Sequence, residues 1–266
     1  MHKDINHLIG GIGTATALCL QQKDLEPITL SIGPLSGIFP YASKTLSLYL
    51  DLNGKLNESI VGGSLALALK TSSLDNVVFV KRSKIPIAAI VNNLQVEFLE
   101  IKSSKDLNQF KERGPSNKKS LLEFSSKGIV DSYFSFGNEK LSSLAKKKNL
   151  LGAIFVGSSS FKIFNLEYYK KIYFDLLARA LDLDVEFAGH KSCSGCPAGC
   201  KLSKKGEENI NIGVLPRCLV SCAYSSKIYK DIPLVFSCLE SLGYHYTHED
   251  LENISNIVGE LKNEFK

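Results

Sequence analysis

Between Ile28 and Glu100, short runs of β-branched and apolar residues alternate with polar turn-forming clusters. Ile28 to Ile32, Thr45 to Leu52, Asn76 to Lys81, Ile85 to Val91 and Gln95 to Glu100 read as strands. Asp51 to Gly54, Lys81 to Lys84 and Asn92-Asn93 read as the turns between them. The pattern predicts a mixed β-sheet with a helix over Gly63 to Thr71 packed on it.

From Lys102 to Asn149 the chain becomes more polar, with helices expected at Asp106 to Arg113 and Asn138 to Lys148 around a strand at Ser120 to Phe124. Leu150 to Val156 returns as a buried strand and closes a first domain near Asn165. Beyond it the period changes to that of helices. Leu166, Tyr169, Ile172, Tyr173, Leu176, Leu177, Ala180 and Leu181 form one apolar stripe over Leu166 to Asp182. Pro233 suits the first turn of a helix that runs to Leu242 and stops at Gly243. Thr247, with Asp250 three residues on, caps a last helix whose buried face is Leu251, Ile254, Val258, Leu261 and Phe265. The expected fold class is α+β, with an N-terminal mixed β-sheet domain and its packed helices over 1–165. A small helical domain carrying a cysteine cluster follows over 166–266.

At 266 residues with 44% hydrophobic content the chain can bury a sizeable core. Its longest apolar runs, Ile28 to Leu35 and Leu150 to Val156, are far shorter than the roughly 20 residues of a membrane helix. No secretory h-region opens the sequence, so a cytoplasmic location and no membrane partner are expected. The net charge of +5 is spread along the chain, which argues against a nucleic-acid partner. Basic runs at Lys146-Lys147-Lys148 and around Lys201, Lys204 and Lys205 read first as solvated faces. The second adjoins the cysteines and would also suit an acidic electron carrier.

Six of the seven cysteines, Cys193, Cys196, Cys200, Cys218, Cys222 and Cys238, crowd the last third of the chain, which suggests metal ligation more than disulfides. Cys193-Ser194-Gly195-Cys196-Pro197-Ala198-Gly199-Cys200 brings three thiolates within eight residues. Iron–sulfur clusters need such convergence, with a fourth thiolate from elsewhere, and the glycines and proline let backbone approach the cluster closely. Zinc is the rival, but its sites more often use two separated ligand pairs. The cluster reading outranks zinc, and both outrank unligated thiols. Cys218 and Cys222 compete as fourth ligand. Cys19 and Cys238 lie among apolar residues and read as small hydrophobes. His190, three residues before Cys193, reads as a capping or surface histidine before a ligand. The run Gly10-Gly11-Ile12-Gly13 imitates a dinucleotide loop but lacks a preceding strand and a βαβ frame.

Several segments together resemble the aldehyde:ferredoxin oxidoreductase family of tungsten-pterin, iron–sulfur enzymes. They are Ser31-Ile32-Gly33-Pro34-Leu35-Ser36-Gly37, Gly62-Gly63 opening a helix, Asp75 to Val80 with Lys84-Ile85-Pro86, and Leu151-Gly152-Ala153-Ile154 with Gly157 and Lys162. The cysteine triplet follows in the same order, and 243 − 222 = 21 residues separate Cys222 from Gly243, the family's distance from its last cluster cysteine to a glycine before its terminal helix. The resemblance therefore implies a [4Fe-4S] cluster on Cys193, Cys196, Cys200 and Cys222. It also implies that most of two helical domains, with one pterin-binding motif and the acid–base residues, are missing. Arg217 and Val220 stand where a second pterin motif has aspartate and glycine, and Ile12 and Lys44 stand where the family has arginines. Neither reproduces the bidentate guanidinium fork, which argues against a complete tungstopterin site.

The expected function is an oxidoreductase-family iron–sulfur protein that moves electrons alone or as a subunit of a larger redox complex, with a ferredoxin-like carrier as partner. The alternatives are a non-catalytic scaffold or binding protein with a structural metal site, and an aldehyde oxidoreductase completed by a partner chain. Catalytic residues are not identified by the sequence.

Overall fold

Small residues decide where the first helix goes. Gly11–Gln21 forms α1, and Gly11, Ile12, Gly13, Thr14, Ala15, Thr16, Ala17 and Cys19 are all buried along it. A helix this thin fits between a sheet and other helices, and α1 lies on the first sheet with C-terminal helices over it. The structure is a computed structural model describing residues 5–93, 95–110, 119–186, 189–208 and 211–265. After α1 come β1 (Ile28–Ser31), β2 (Thr45–Leu50), β3 (Leu56–Val61), α2 (Leu65–Thr71) and β4 (Asn76–Phe79). Next are β5 (Ile87–Asn92), β6 (Gln95–Glu100), β7 (Lys119–Glu123), β8 (Ile129–Val130), β9 (Phe134–Ser135), α3 (Glu139–Lys147) and β10 (Leu150–Val156). The C-terminal part holds α4 (Leu166–Ala178), α5 (Lys201–Lys204), β11 (Glu207–Glu208), α6 (Val214–Cys218), α7 (Ser226–Tyr229), α8 (Ile232–Ser241) and α9 (His248–Asn263).

The fold class is α+β, as the sequence pattern predicts, but the single mixed sheet becomes two. The first is antiparallel, in the order β11-β3-β2-β1-β4; the second runs β6-β5-β10-β7-β8-β9, with β10 parallel to β5 and the other pairs antiparallel. Strand alternation gives the first sheet two buried faces. Leu46, Leu48 and Ile60 join a core with α1 and with residues of α4, α6, α8 and α9. Ile28, Leu30, Tyr49 and Val61 join a second core with α2, α3 and Ala89, Leu122 and Phe155 of the second sheet. Residues from both sides of position 165 therefore share the first core, and β11 extends the first sheet from the C-terminal part.

The helix caps follow the sequence. Asn165 accepts from Tyr168 N, Asp231 accepts from Leu234 N, and Thr247 and Asp250 form a reciprocal capping box. Asp51 Oδ1 accepts from Asn53 N and Lys55 N at 3.0 Å each, which fixes the turn before β3. The helix expected over Asp106 to Arg113 is instead a 3₁₀ helix over Ser104–Phe110, and residues 111–113 lie outside the described ones. Besides the short β8, β9, β11, α5, α6 and α7, two longer elements have no counterpart in the sequence reading. One is α1, whose glycines, threonines and alanines carry no polar stripe. The other is β3, whose buried positions include Asn57, Glu58 and Ser59. Among the described residues no helix is long and apolar enough to cross a membrane.

Candidate metal centre

The cysteine loop is folded by its own backbone. Cys196 N donates to Cys193 O at 2.9 Å, closing a turn in which Gly195 takes φ +78°. His190 N donates to Gly199 O at 3.1 Å, and Gly199 takes φ +54° with its missing Cβ 2.6 Å from His190 O. Both glycines sit in left-handed backbone, so these turns need them. Ser194 N donates to Gly63 O at 3.1 Å, docking the loop beside the end of β3. The Cys193 sulfur fills the space where a Cβ at Gly62 would stand. The Gly62-Gly63 pair thus serves the cysteine loop as well as the start of α2.

Cys222 arrives from the segment between α6 and α7. Its amide donates to Ser225 Oγ at 3.0 Å, Ser225 N donates to its sulfur at 3.4 Å, and the two side chains lie 3.3 Å apart. A sulfur with a backbone N–H and a hydroxyl beside it is a stabilised place for negative charge.

Beneath the thiols lies a buried ammonium. Lys44, only 4% exposed, donates from Nζ to Leu202 O at 2.9 Å and stands 3.9 Å from Glu207 Oε2. Burial by itself would lower its pKa, but the Cys193 and Cys222 thiols, then Glu207 and Cys200, outweigh it and hold the group above its ordinary value. Burial pushes the Cys196 thiol up to about 12, opposed by the Ala198 amide and reinforced by Cys193, Cys222 and Cys200. Cys222 is raised by burial, and Lys44 pulls it back down. All four predicted ligands thus feel one another or the same lysine. Cys193 and Cys200 are buried, while Cys196 and Cys222 are partly exposed.

Two further buried groups surround the loop without partners among the described residues. Ser43 Oγ lies 3.4 Å from where a Cβ at Gly195 would be, and Ser203, three residues past Cys200, has its hydroxyl buried as well. Glu207 Oε2 also lacks a hydrogen bond there, while Glu207 accepts from Ala223 N at 3.0 Å through Oε1. Other buried hydroxyls without partners among the described residues, Thr45, Ser47 and Ser59 among them, lie along the first sheet, so such groups are not confined to the loop. Among the described residues no group of three or more His, Cys, Asp or Glu is arranged to hold a metal ion.

The other candidates lie elsewhere. Cys218 is fully buried in the helical core, its thiol pushed up to about 12 by burial, with the Gly13 amide and the charges of Arg217 and Lys262 acting against this. Cys19 and Cys238 are also buried, each pushed up to about 12 by burial. His190 Nδ1 lies 3.3 Å from the Tyr133 hydroxyl, and Lys191 and Lys204 sit over that tyrosine's ring. Gly11, from the run that imitates a dinucleotide loop, and Gly33 are instead the floor for residues 217–220. A Cβ at Gly11 would stand 2.6 Å from Cys218 O, and one at Gly33 would stand 2.6 Å from Leu219 Cα. Arg217 donates to both oxygens of Glu58 at 3.0 and 2.8 Å, and Ile12 is wholly buried. The sequence singles out Lys44 only through the family resemblance and gives no sign of Glu207 or Ser225.

Residues 2–114 match the family described as aldehyde ferredoxin oxidoreductase, N-terminal domain. No curated protein matches the chain in sequence. Chains of solved structures do match, among them one of the active site complex BamBC of benzoyl coenzyme A reductase in complex with 1,5-dienoyl-CoA. The similarity to that chain has a TM-score of 0.63 at 13% identity, and it covers 100% of the present chain. It covers 59% of the neighbour, so the present chain spans about three fifths of that chain's length. At this identity the likeness is one of fold. The family resemblance read from the sequence is thus matched over residues 2–114, by the aldehyde ferredoxin oxidoreductase N-terminal domain.

Proposed function

We propose that this protein binds one [4Fe-4S] cluster through Cys193, Cys196, Cys200 and Cys222. In this reading it passes single electrons, alone or as a subunit of a larger redox complex. The observation that carries the proposal is that the four thiols act on one another and, through Cys193, Cys200 and Cys222, on the buried Lys44 ammonium. Four thiolates placed in a low-dielectric site need a counter-charge, and Lys44 is already buried there to supply it. The cluster, when bound, supplies a one-electron couple whose potential depends on charge, hydrogen bonds and exposure. This chain's residues set each of those variables: Lys44 the charge, Ser225 the hydrogen bonds at Cys222, and partly exposed Cys196 an edge open to solvent.

Exposed Lys191, Lys204 and Lys205 near this edge would steer an acidic, ferredoxin-like carrier. The residues present do not fit a tungstopterin. Arg217 is held by Glu58, Ile12 is enclosed in the core, and Val220 is fully buried where the resembling family has glycine. The test is anaerobic purification with iron and acid-labile sulfide analysis, followed by electron paramagnetic resonance of the reduced protein. About four irons and four sulfides per chain, with a reversible couple, are expected. A colourless protein with stoichiometric zinc, or with no metal, overturns the proposal.

A further inference from the structure

A groove of about 650 Å³ runs between β4 at the edge of the first sheet and β5, β6 and β10 of the second. Its volume lies inside the range of small-molecule sites, roughly 300–1,000 Å³. Its chemistry is divided. Phe79, Ile87, Phe98 and Leu150 give apolar wall, whereas Lys81, Arg82 and Lys148 bring three cations against the one carboxylate of Glu100. Phe98 is 62% exposed, a large aromatic ring left in water beside the groove.

Lys148 is the unusual member. It follows α3, is only 4% exposed, and lines both this groove and an adjoining one of about 460 Å³. Its Nζ donates to Leu25 O and Val80 O, both at 2.8 Å, and the third N–H has no acceptor among the described residues. An ammonium carries three donors, and a buried one left with a spare donor is a ready partner for an anion. Burial lowers this group's pKa, with Glu26 opposing and Lys147 adding to the effect. A nearby anion would relieve that penalty. Lys147 is already paired with Glu26, so it is not the spare charge.

The geometry points to a binding site here for an amphipathic organic monoanion, a medium-chain carboxylate whose apolar body lies along Phe79, Ile87 and Phe98 and whose head meets Arg82 and Lys148. The guanidinium fork suits a carboxylate. Glu100 and the two carbonyls on Lys148 disfavour a more highly charged head. A peptide strand added to the free edge of β4 would cover the same apolar wall, but its backbone carries no net charge to answer the cations.

Isothermal titration calorimetry with decanoate below its micelle concentration, using the whole chain, tests this. Saturable one-to-one binding is expected, with decylammonium failing to bind. Arg82→Gln and Phe98→Ser, both at exposed positions, should each weaken decanoate binding about tenfold or more. The proposal is overturned by an absence of saturable binding up to ~1 mM, by equal affinity for decylammonium, or by unchanged affinity in both variants. It is also overturned if a strand-forming peptide binds at β4 while decanoate does not.

Discussion

Cys218 and Cys222 stand one helical turn apart in sequence and inhabit opposite surroundings. Cys218 is enclosed by α1 and the helical core and touches the Gly13 amide, far from other thiols in its interactions. Cys222 faces a buried lysine, a glutamate and Ser225, and it interacts with Cys196. Both thiols are raised by burial, so burial does not separate a packing cysteine from a ligand. What separates them is the company: Cys222 interacts with another ligand thiol and with the buried Lys44, whereas the cations that act on Cys218, Arg217 and Lys262, are held by Glu58. A lysine placed under a group of thiols costs free energy unless negative charge is expected there.

The largest effect should come from exchanging the two sites' fates. Cys222→Ser should abolish iron and acid-labile sulfide, because three protein thiolates remain for a four-ligand cluster. Cys218→Ala should retain full iron content and lose about 1 kcal/mol of stability. Loss of iron in Cys218→Ala with retention in Cys222→Ser would reverse the comparison outright.

The next effect concerns the charges. Lys44→Met leaves Glu207 buried with no cation and should cost about 3 kcal/mol in urea unfolding of the metal-free protein. On the other side, Arg217→Met removes two bonds to Glu58, yet Lys262 Nζ remains 3.3 Å from that carboxylate. That loss should be smaller, about 2 kcal/mol. Equal losses would mean that Lys44 is one more structural ion pair and not a counter-charge held for thiolates.

The two regions were unequally legible in the sequence. The triplet is local, so spacing alone brings Cys193, Cys196 and Cys200 together, and capped helices such as α9 declare themselves through Thr247 and Asp250. The fourth ligand depends on tertiary folding, and spacing left Cys218 and Cys222 level until the family resemblance favoured Cys222. Nothing in the sequence marks Glu58 as a buried residue of β3, because the Arg217 and Lys262 that neutralise it lie over 150 positions away. The run at Gly10-Gly11-Ile12-Gly13 imitates a nucleotide loop because close backbone approach, at Gly11 by residues 217–220, makes the same demand as a phosphate. Val220 shows a compromise at that corner. It takes φ +52°, a left-handed conformation costing a β-branched residue about 1–2 kcal/mol, and is fully buried, which returns a similar amount.

The smallest effect separates the two kinds of thiol by pH. Burial raises Cys19, Cys218 and Cys238 to about 12, above the ordinary value near 9 that the unfolded chain regains. A group whose folded pKa is raised contributes stability that is whole below the unfolded pKa and is lost as pH climbs toward the folded one. Stability should therefore hold to about pH 8 and fall above pH 9, by up to about 1.4 kcal/mol per pH unit for each core thiol. Urea unfolding at pH 8, 9 and 10 measures the slope, and Cys238→Ala should reduce it by about 1 kcal/mol per unit. In the cluster-loaded protein the four ligand thiols are thiolates throughout, so they add nothing to the decline above the unfolded value near 9, and below it they make stability rise with pH. If loading the cluster does not flatten the decline above pH 9 of the metal-free protein, in which Cys196 is also raised to about 12, the ligand and core cysteines are alike, and the distinction drawn between Cys222 and Cys218 fails.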